Sequence, residues 1–258
     1  LGSATPCVES YYNAKTGKYA LVEMHTRFAG IALPKIQTID IRKAHLKKQM
    51  TQQFAPKMLS TITETLEAGK QVILFQNRRG YSPVLSCGTC AYTPNCNACD
   101  VSLTYHKWNN QLKCHYCGYT EQVPEFCPSC SAKDFSDKGF GTEQIEESLK
   151  ELLPTYVTKR MDYDTTRGKN AHQQIITDFE QGRIDILVGT QMVTKGLDFD
   201  NVALVGILNA DSMLHFPDFR AYERAFQLMM QVAGRAGRKG QQGQVLVQTY
   251  DEEHEMFG

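Results

Sequence analysis

No run in this chain approaches about 18 consecutive uncharged apolar residues, which excludes a membrane-spanning helix. Residues 1–20 lack a basic start followed by an apolar stretch, so no secretory signal is visible and a cytoplasmic location is expected. Net charge is also missing: 28 Lys and Arg balance 28 Asp and Glu. A globally basic surface is therefore excluded, and any nucleic-acid surface must be local. A Walker A loop, Gly-x₄-Gly-Lys-Ser/Thr, is absent too. Gly-Lys occurs at 17–18, 69–70 and 168–169, but Tyr19, Gln71 and Asn170 follow it. No low-complexity tract interrupts the 258 residues, a length that can bury a real core and allows one or two domains.

What the chain does have is cysteine in one arrangement. Eight of nine cysteines form four Cys-x-x-Cys pairs within 44 residues: Cys87/Cys90, Cys96/Cys99, Cys114/Cys117 and Cys127/Cys130. Cys7 has no partner pair. Without secretion, such pairs read as metal ligands rather than disulfides. Two tight turns supply four thiolates to one tetrahedral ion, so four pairs imply two closed zinc sites. A catalytic zinc needs an open position, which eight thiolates do not leave. Iron is the weaker rival, because Cys114-His115-Tyr116-Cys117-Gly118-Tyr119 resembles a rubredoxin knuckle. His106 and His115 read as solvent-facing.

Between Cys99 and Cys114 lie 14 residues that read as a hairpin turning at Asn109-Asn110. This predicts nesting. Cys96, Cys99, Cys114 and Cys117 would share one ion, and Cys87, Cys90, Cys127 and Cys130 the other. Sequential pairing is the competing arrangement.

Around the cysteines, the pattern alternates strand and helix. Residues 36–41, 72–75, 157 onward, 184–188, 202–207 and 245–250 read as strands. Residues 51–68 carry Phe54, Met58, Ile62 and Leu66 on one helical face, ended by Gly69. Thr142 reads as the cap of a helix bearing Ile145 and Leu149. Residues 170–181 form another helix, with Ile175, Ile176 and Phe179 inward and Gly182 after its end. Tyr222, Phe226, Met229 and Ala233 mark the inner face of a fourth. Such alternation implies a parallel sheet with helices on both faces. Residues 82–135 interrupt it with few long aliphatics, so that segment needs a staple.

Three segments carry phosphate chemistry. Gln231-Val-Ala-Gly-Arg-Ala-Gly-Arg238 places Arg235 and Arg238 three apart among small residues, where both can approach a triphosphate. Gly189-Thr-Gln-Met-Val-Thr-Lys-Gly-Leu-Asp-Phe199 follows a strand, and in a parallel sheet the ligand crevice lies beyond the strands' carboxyl ends. Phe75-Gln-Asn-Arg-Arg-Gly-Tyr81 also follows a strand, although Arg78-Arg79 alone is a common solvated pair.

Together these segments resemble helicase superfamily two. Residues 231–238 are similar to its motif VI, 189–199 to motif V, and Leu1–Pro6 to motif III. With Asn77–Tyr81, the cysteine pairs and Gly139–Glu143 in that order, the whole chain resembles the bacterial replication-restart helicases. The resemblance implies an α/β fold: a RecA-like helicase lobe two with an inserted binuclear zinc module. It divides the chain into 1–35 (end of lobe one and linker), 36–81 (lobe two, first part), 82–135 (insert) and 136–258 (lobe two, second part).

As implied by the resemblance, the activity is ATP-dependent 3′ to 5′ unwinding of DNA, restart of stalled forks and loading of the primosome. Gln231, Arg235 and Arg238 would face the triphosphate, with Gly196, Asp198 and Gly234 also at the nucleotide. Arg78, Arg79, Thr142, Thr190, Gln191 and Thr194 would face nucleic acid. Two Zn²⁺ would be resident, with ATP and Mg²⁺ serving the full-length enzyme. Forked and single-stranded DNA, primosome proteins and single-strand-binding proteins would be the partners, with no membrane. Many relatives have His after the motif V Lys-Gly, where this chain has Leu197.

The family's phosphate loop lies before motif III, so this chain alone is expected to be inactive. Asp251-Glu-Glu-His254 imitates a Walker B box but follows motif VI, with no phosphate loop in the same lobe, and reads as a charged terminus. The rival reading is a zinc-stabilised nucleic-acid or protein docking module without turnover.

Overall fold

The computed structural model describes residues 2–25, 32–77, 84–90, 92–106, 109–136, 141–163, 165–166, 168, 170–194, 199–237 and 242–257. Helix α1 (Val8–Lys15) leads to strand β1 (Lys35–Asp40), the short helix α2 (Ile41–Leu46), helix α3 (Pro56–Glu67) and strand β2 (Gln71–Phe75). Five short strands follow: β3 (Ser86–Cys87), β4 (Thr104–His106), β5 (Gln111–Lys113), β6 (Thr120–Gln122) and β7 (Phe135–Ser136). Then come α4 (Thr142–Leu152), β8 (Thr158–Met161), α5 (Ala171–Glu180), β9 (Ile186–Gly189) and a 3₁₀ turn (Gln191–Thr194). Strand β10 (Val202–Ile207), α6 (Asp211–Leu214), α7 (Ala221–Ala233), β11 (Gln244–Thr249) and a 3₁₀ turn (Glu255–Phe257) complete the series.

Six strands form one parallel sheet in the order β1-β11-β10-β2-β9-β8. All five residues of β2 are buried. Alternate side chains of a strand point to opposite faces, so β2 feeds two cores. Val72 and Leu74 pack with Met58, Ile62, Leu66, Ile145 and Leu149 of α3 and α4. Ile73 and Phe75 pack with Phe179, Ala225, Met229 and Val232 of α5 and α7. Gly69 takes φ 68 just after α3, the left-handed conformation that ends a helix with little cost only for glycine.

Two buried glutamines pin this arrangement. Gln71 donates from Nε2 to the carbonyls of Phe179 and Ile184, each at 2.7 Å. Gln248 accepts from Ala55 N–H at 2.8 Å and donates to Gln53 O and Leu208 O.

Two local expectations are corrected. Helix α7 buries Ala221, Ala225, Met229, Val232 and Ala233, leaving Tyr222 and Phe226 exposed at 53% and 44%. A four-residue spacing fits either face. The alanines win because their small side chains let the helix lie close to the sheet, and Tyr222 instead stacks edge-on against His254. Thr142 is the first helical residue rather than the cap, a position held by Gly141 with no side-chain bond.

The cysteine-rich segment leaves after β2 and returns before α4. Its ends meet in the antiparallel β3–β7 pair, Ser86 opposite Ser136 and Cys87 opposite Phe135. Strands β4, β5 and β6 form its antiparallel sheet, over a small core of Leu85, Val101, Leu103 and Leu112. No helix among the described residues is long and apolar enough to cross a membrane.

Gly243, at the entry to β11, lies against the Ala236–Gly237 backbone. A Cβ there would meet Ala236 C and Gly237 N at 2.3 Å. Backbone has nowhere to relax, so Gly243→Ala should lower stability by about 1–3 kcal/mol. It should also speed exchange of the Gly237 amide, which now bonds Val202 O at 3.0 Å. Unchanged denaturant midpoint and exchange would show that this approach does not constrain the loop.

Candidate functional site

Each Cys-x-x-Cys turn is built the same way. The amide of its first cysteine bonds a carbonyl five residues on: Cys87 to Tyr92, Cys96 to Val101, Cys114 to Tyr119 and Cys127 to Ala132, at 2.8–2.9 Å. The residue after the second cysteine is left-handed at Asp100 (φ 47), Gly118 (φ 79) and Ser131 (φ 60). This bend turns both thiols to one side. The β4–β5 hairpin, Thr104 opposite Lys113 and His106 opposite Gln111, then carries the inner pairs together.

Nesting is what the fold displays. Cys96, Cys99, Cys114 and Cys117 make one group and Cys87, Cys90, Cys127 and Cys130 the other, with all sulfurs of a group within 4.8 Å of one another. Cross-pair sulfurs stand 3.6 Å apart for Cys87–Cys130 and Cys90–Cys127, and 3.5 Å for Cys96–Cys117. Zn–S bonds of about 2.3 Å require tetrahedron edges of roughly 3.8 Å, so the donor set fits that ion. These separations are too long for disulfides, and all nine cysteines are free thiols.

The electrostatics agree with a cation site. Burial pushes the Cys114 thiol up, but the amides of Cys117 and Tyr116 and the thiols of Cys96 and Cys117 bring it down to about 7. Cys127 falls to about 7 in the same way through the amides of Cys130 and Ser129. Cys99 is held up at about 12, first by its hydrogen bond with Cys117. One thiolate forms readily in such a group, and its neighbours then resist ionisation. A divalent cation offsets that repulsion. His115 is exposed, while His106 is half-buried, its ring tilted 5.2 Å from that of His115.

The outer group lies against the lobe. Tyr250, after β11, stacks on His45 at 5.6 Å. Its pKa is pushed up to about 12, by burial first and then by Asp211, Cys87, Asp134 and Cys90.

Of the remaining candidate residues, the described ones collect at opposite ends of the sheet. Thr190 and Gln191 follow β9 at its carboxyl end, and Gln76 N–H bonds Gly189 O at 3.0 Å. This brings the segment after β2 beside the one after β9. Gly189 is required there, since a Cβ would meet Val193 Cγ1 at 2.2 Å and Met161 O at 3.0 Å. Thr194 closes the 3₁₀ turn. Thr142 reaches the same edge, its hydroxyl donating to Asp162 Oδ2 at 2.7 Å.

Asp162 is the residue that sequence reasoning missed. Burial pushes its carboxyl up, but the Thr142 hydroxyl, the Thr165 amide and the Arg160 guanidinium outweigh this and hold it below the usual range. Its backbone carbonyl accepts from Thr166, whose hydroxyl lies 3.6 Å from Met192 Sδ. The carboxylate thus ties the start of α4 to the loop after β8, and the carbonyl of the same residue reaches the turn after β9 through Thr166. A sequence signal existed in Asp162-Tyr-Asp-Thr-Thr166, which follows a strand and is rich in turn formers.

Gln231 is exposed on the last turn of α7, Gly234 caps the helix and Arg235 is half-buried beyond it. Gly237 takes φ 72 and bonds Val202 O, so this segment sits by the amino end of β10. The structure therefore does not bring the Arg235 segment to the edge that holds Thr190. Arg78, Arg79, Gly196, Asp198 and Arg238 lie outside the described residues.

Residues 96–122 match the model of the PriA DNA helicase Cys-rich region (CRR) domain. Residues 111–240, half of the chain, match the helicase conserved C-terminal domain. The replication restart protein PriA of Bacillus subtilis is 46% identical over 98% of this chain, which covers 31% of that protein. PriA of Haemophilus influenzae is 41% identical over 100% of this chain and 35% of its own length. The chain thus spans about a third of the curated relatives it matches. Among solved structures, S. cerevisiae Dbp5 bound to RNA and ADP BeF3 aligns with a TM-score of 0.50 at 13% identity, covering 99% of this chain and 48% of that one. At that identity the likeness is one of fold alone. A parallel sheet with helices on both faces and a family match over half of its length place this chain in the helicase conserved C-terminal domain family, and its four cysteine knuckles and nearly full-length similarity are shared with the PriA replication restart proteins.

Proposed function

We propose that this chain is the second motor lobe and zinc module of an ATP-dependent DNA helicase that unwinds 3′ to 5′, restarts stalled replication forks and loads the primosome. The observation that carries this reading is identity of 46% to a replication restart protein across 98% of the chain. In this reading residues 1–35 are the end of lobe one and a linker, 82–135 the insert, and 36–81 with 136–258 the lobe.

The two ends of the sheet divide the work. Thr142, Thr190, Gln191 and Thr194, with Arg78 and Arg79, face DNA phosphates, and Asp162 fixes the position of Thr142. At the other end Gln231, Gly234 and Arg235 face ATP and its Mg²⁺, and Arg238, Gly196 and Asp198 are the further residues proposed to bind that nucleotide. Arg235 and Arg238 act as fingers on a triphosphate held by the preceding lobe, where they stabilise charge on the transferring phosphoryl group. Zn²⁺ in each four-cysteine group supplies no chemistry; it fixes the shape of a module whose apolar core is small. Forked and single-stranded DNA, primosome proteins and single-strand-binding protein are the proposed partners.

The alternative, a docking module without turnover, predicts that the arginines are dispensable. In the longer protein, Arg235→Ala should reduce DNA-stimulated ATP hydrolysis by ~10³-fold, the scale of a lost arginine finger. The 258-residue chain alone should hydrolyse no ATP. Turnover by that chain, or an Arg235→Ala enzyme of full activity, would overturn the assignment.

The metal proposal has its own check. Elemental analysis should give about two zinc ions per chain, since eight thiolates fill two tetrahedra. Cys96→Ser should lower this to about one. Alkylation should then mark Cys99, Cys114 and Cys117, with Cys127 and Cys130 protected. Labelling of Cys127 and Cys130 to the same extent would reject two independent nested centres.

A further inference from the structure

Tyr116 lies inside the Cys114–Cys117 knuckle, between two cysteines of the inner group. Its ring meets Phe219 edge-on, with centroids 6.2 Å apart and planes at 84°. Its hydroxyl also accepts a long hydrogen bond, 3.4 Å, from the Phe219 amide. Both side chains are otherwise open to water, Tyr116 at 52% and Phe219 at 69% exposure. Neither belongs to an apolar core, so their contact is a bridge between two bodies each with a core of its own.

Phe219 is in turn fixed to the start of α7. Asp218 accepts from the Arg220 amide at 2.8 Å through its carboxylate, and from the Ala221 amide at 2.9 Å through its carbonyl. Its carboxylate also pairs with Arg224. The Arg220 guanidinium lies over the Phe219 ring, 5.1 Å from its centroid, and pairs with Glu9. Helix α7 then runs 13 residues, about 20 Å at 1.5 Å per residue, to Gly234 and Arg235. A helix is stiff along its axis, so a displacement at the arginine end reappears at Phe219.

We infer that Tyr116 and Phe219 are a positioning pair, through which α7 sets the orientation of the inner four-cysteine centre relative to the motor lobe. The inference rests on the proposed function in one respect, that Arg235 faces the nucleotide. The pair would make the zinc module follow the nucleotide state, so that hydrolysis and duplex opening stay in step. Two edge-on rings suit this role. They resist sliding and separation, yet bury too little to lock the module in place.

Tyr116→Ala, Phe219→Ala, the double variant and Tyr116→Phe are made in the longer protein and assayed for metal content, single-stranded-DNA-stimulated ATP hydrolysis and unwinding of a forked duplex. Each alanine variant should keep its metal and its ATP hydrolysis while unwinding falls about tenfold, within the range of coupling between sites. The double variant should be no worse than either single one, and Tyr116→Phe should retain most unwinding because the ring contact survives. Parallel loss of hydrolysis and unwinding, additive losses, or undiminished unwinding would each overturn the pairing.

A second measurement does not depend on helicase activity. In the 258-residue chain, Tyr116→Ala should speed hydrogen exchange in the first turn of α7, and Phe219→Ala should speed it at 114–119. If the parent enzyme neither hydrolyses ATP nor unwinds DNA, the proposed function fails and exchange alone judges the contact. Exchange unchanged at both places would reject it.

Discussion

The structure depends on β2 being held along both edges. Its five residues lie between β10 and β9, with a core on each face. A strand in that position cannot shift without opening both cores. Yet the chain leaves β2 for the cysteine knuckles before returning at α4. An insertion there is tolerated because its ends close on themselves through β3 and β7, and because cysteines from its first and last turns converge in one group.

Because every strand of the sheet runs the same way, its two ends differ chemically. The carboxyl ends of β2, β8 and β9 gather hydroxyls, amides and one well-bonded carboxylate. The amino end of β10 receives the arginine segment through Gly237 and Val202. Gln71 and Gln248 matter in this context because they bond across layers rather than along strands. They tie β2 to the end of α5, and β11 to the start of α3.

How far the sequence could be read follows from the range of each interaction. Strands and helices built on local periodicity were legible, as was nesting of the cysteine groups, since tight turns and a hairpin are local features. The inward face of α7 was not, because Tyr222 and Phe226 share the helical spacing that its alanines also satisfy. Thr142 carries the local signature of a cap, yet its hydroxyl bonds Asp162, 20 residues on, instead of the helix's own amides. Tyr116 and Phe219 are 103 residues apart, and no local pattern joins them. The carboxyl-end rule for parallel sheets places Thr190 and Gln191 but misses the arginines, which follow a helix rather than a strand.

Nesting also orders assembly. The inner group closes a loop of 14 residues between Cys99 and Cys114, whereas the outer group alone would have to close the 36 between Cys90 and Cys127. The longer closure costs about 0.8 kcal/mol more in chain entropy. Once the inner ion is in place, most of the outer loop is already folded away, and the outer cysteines meet across short arms. By this closure term, metal capture would run from the hairpin outward, like a zip, and finish beside β3 and β7, where the module joins the lobe.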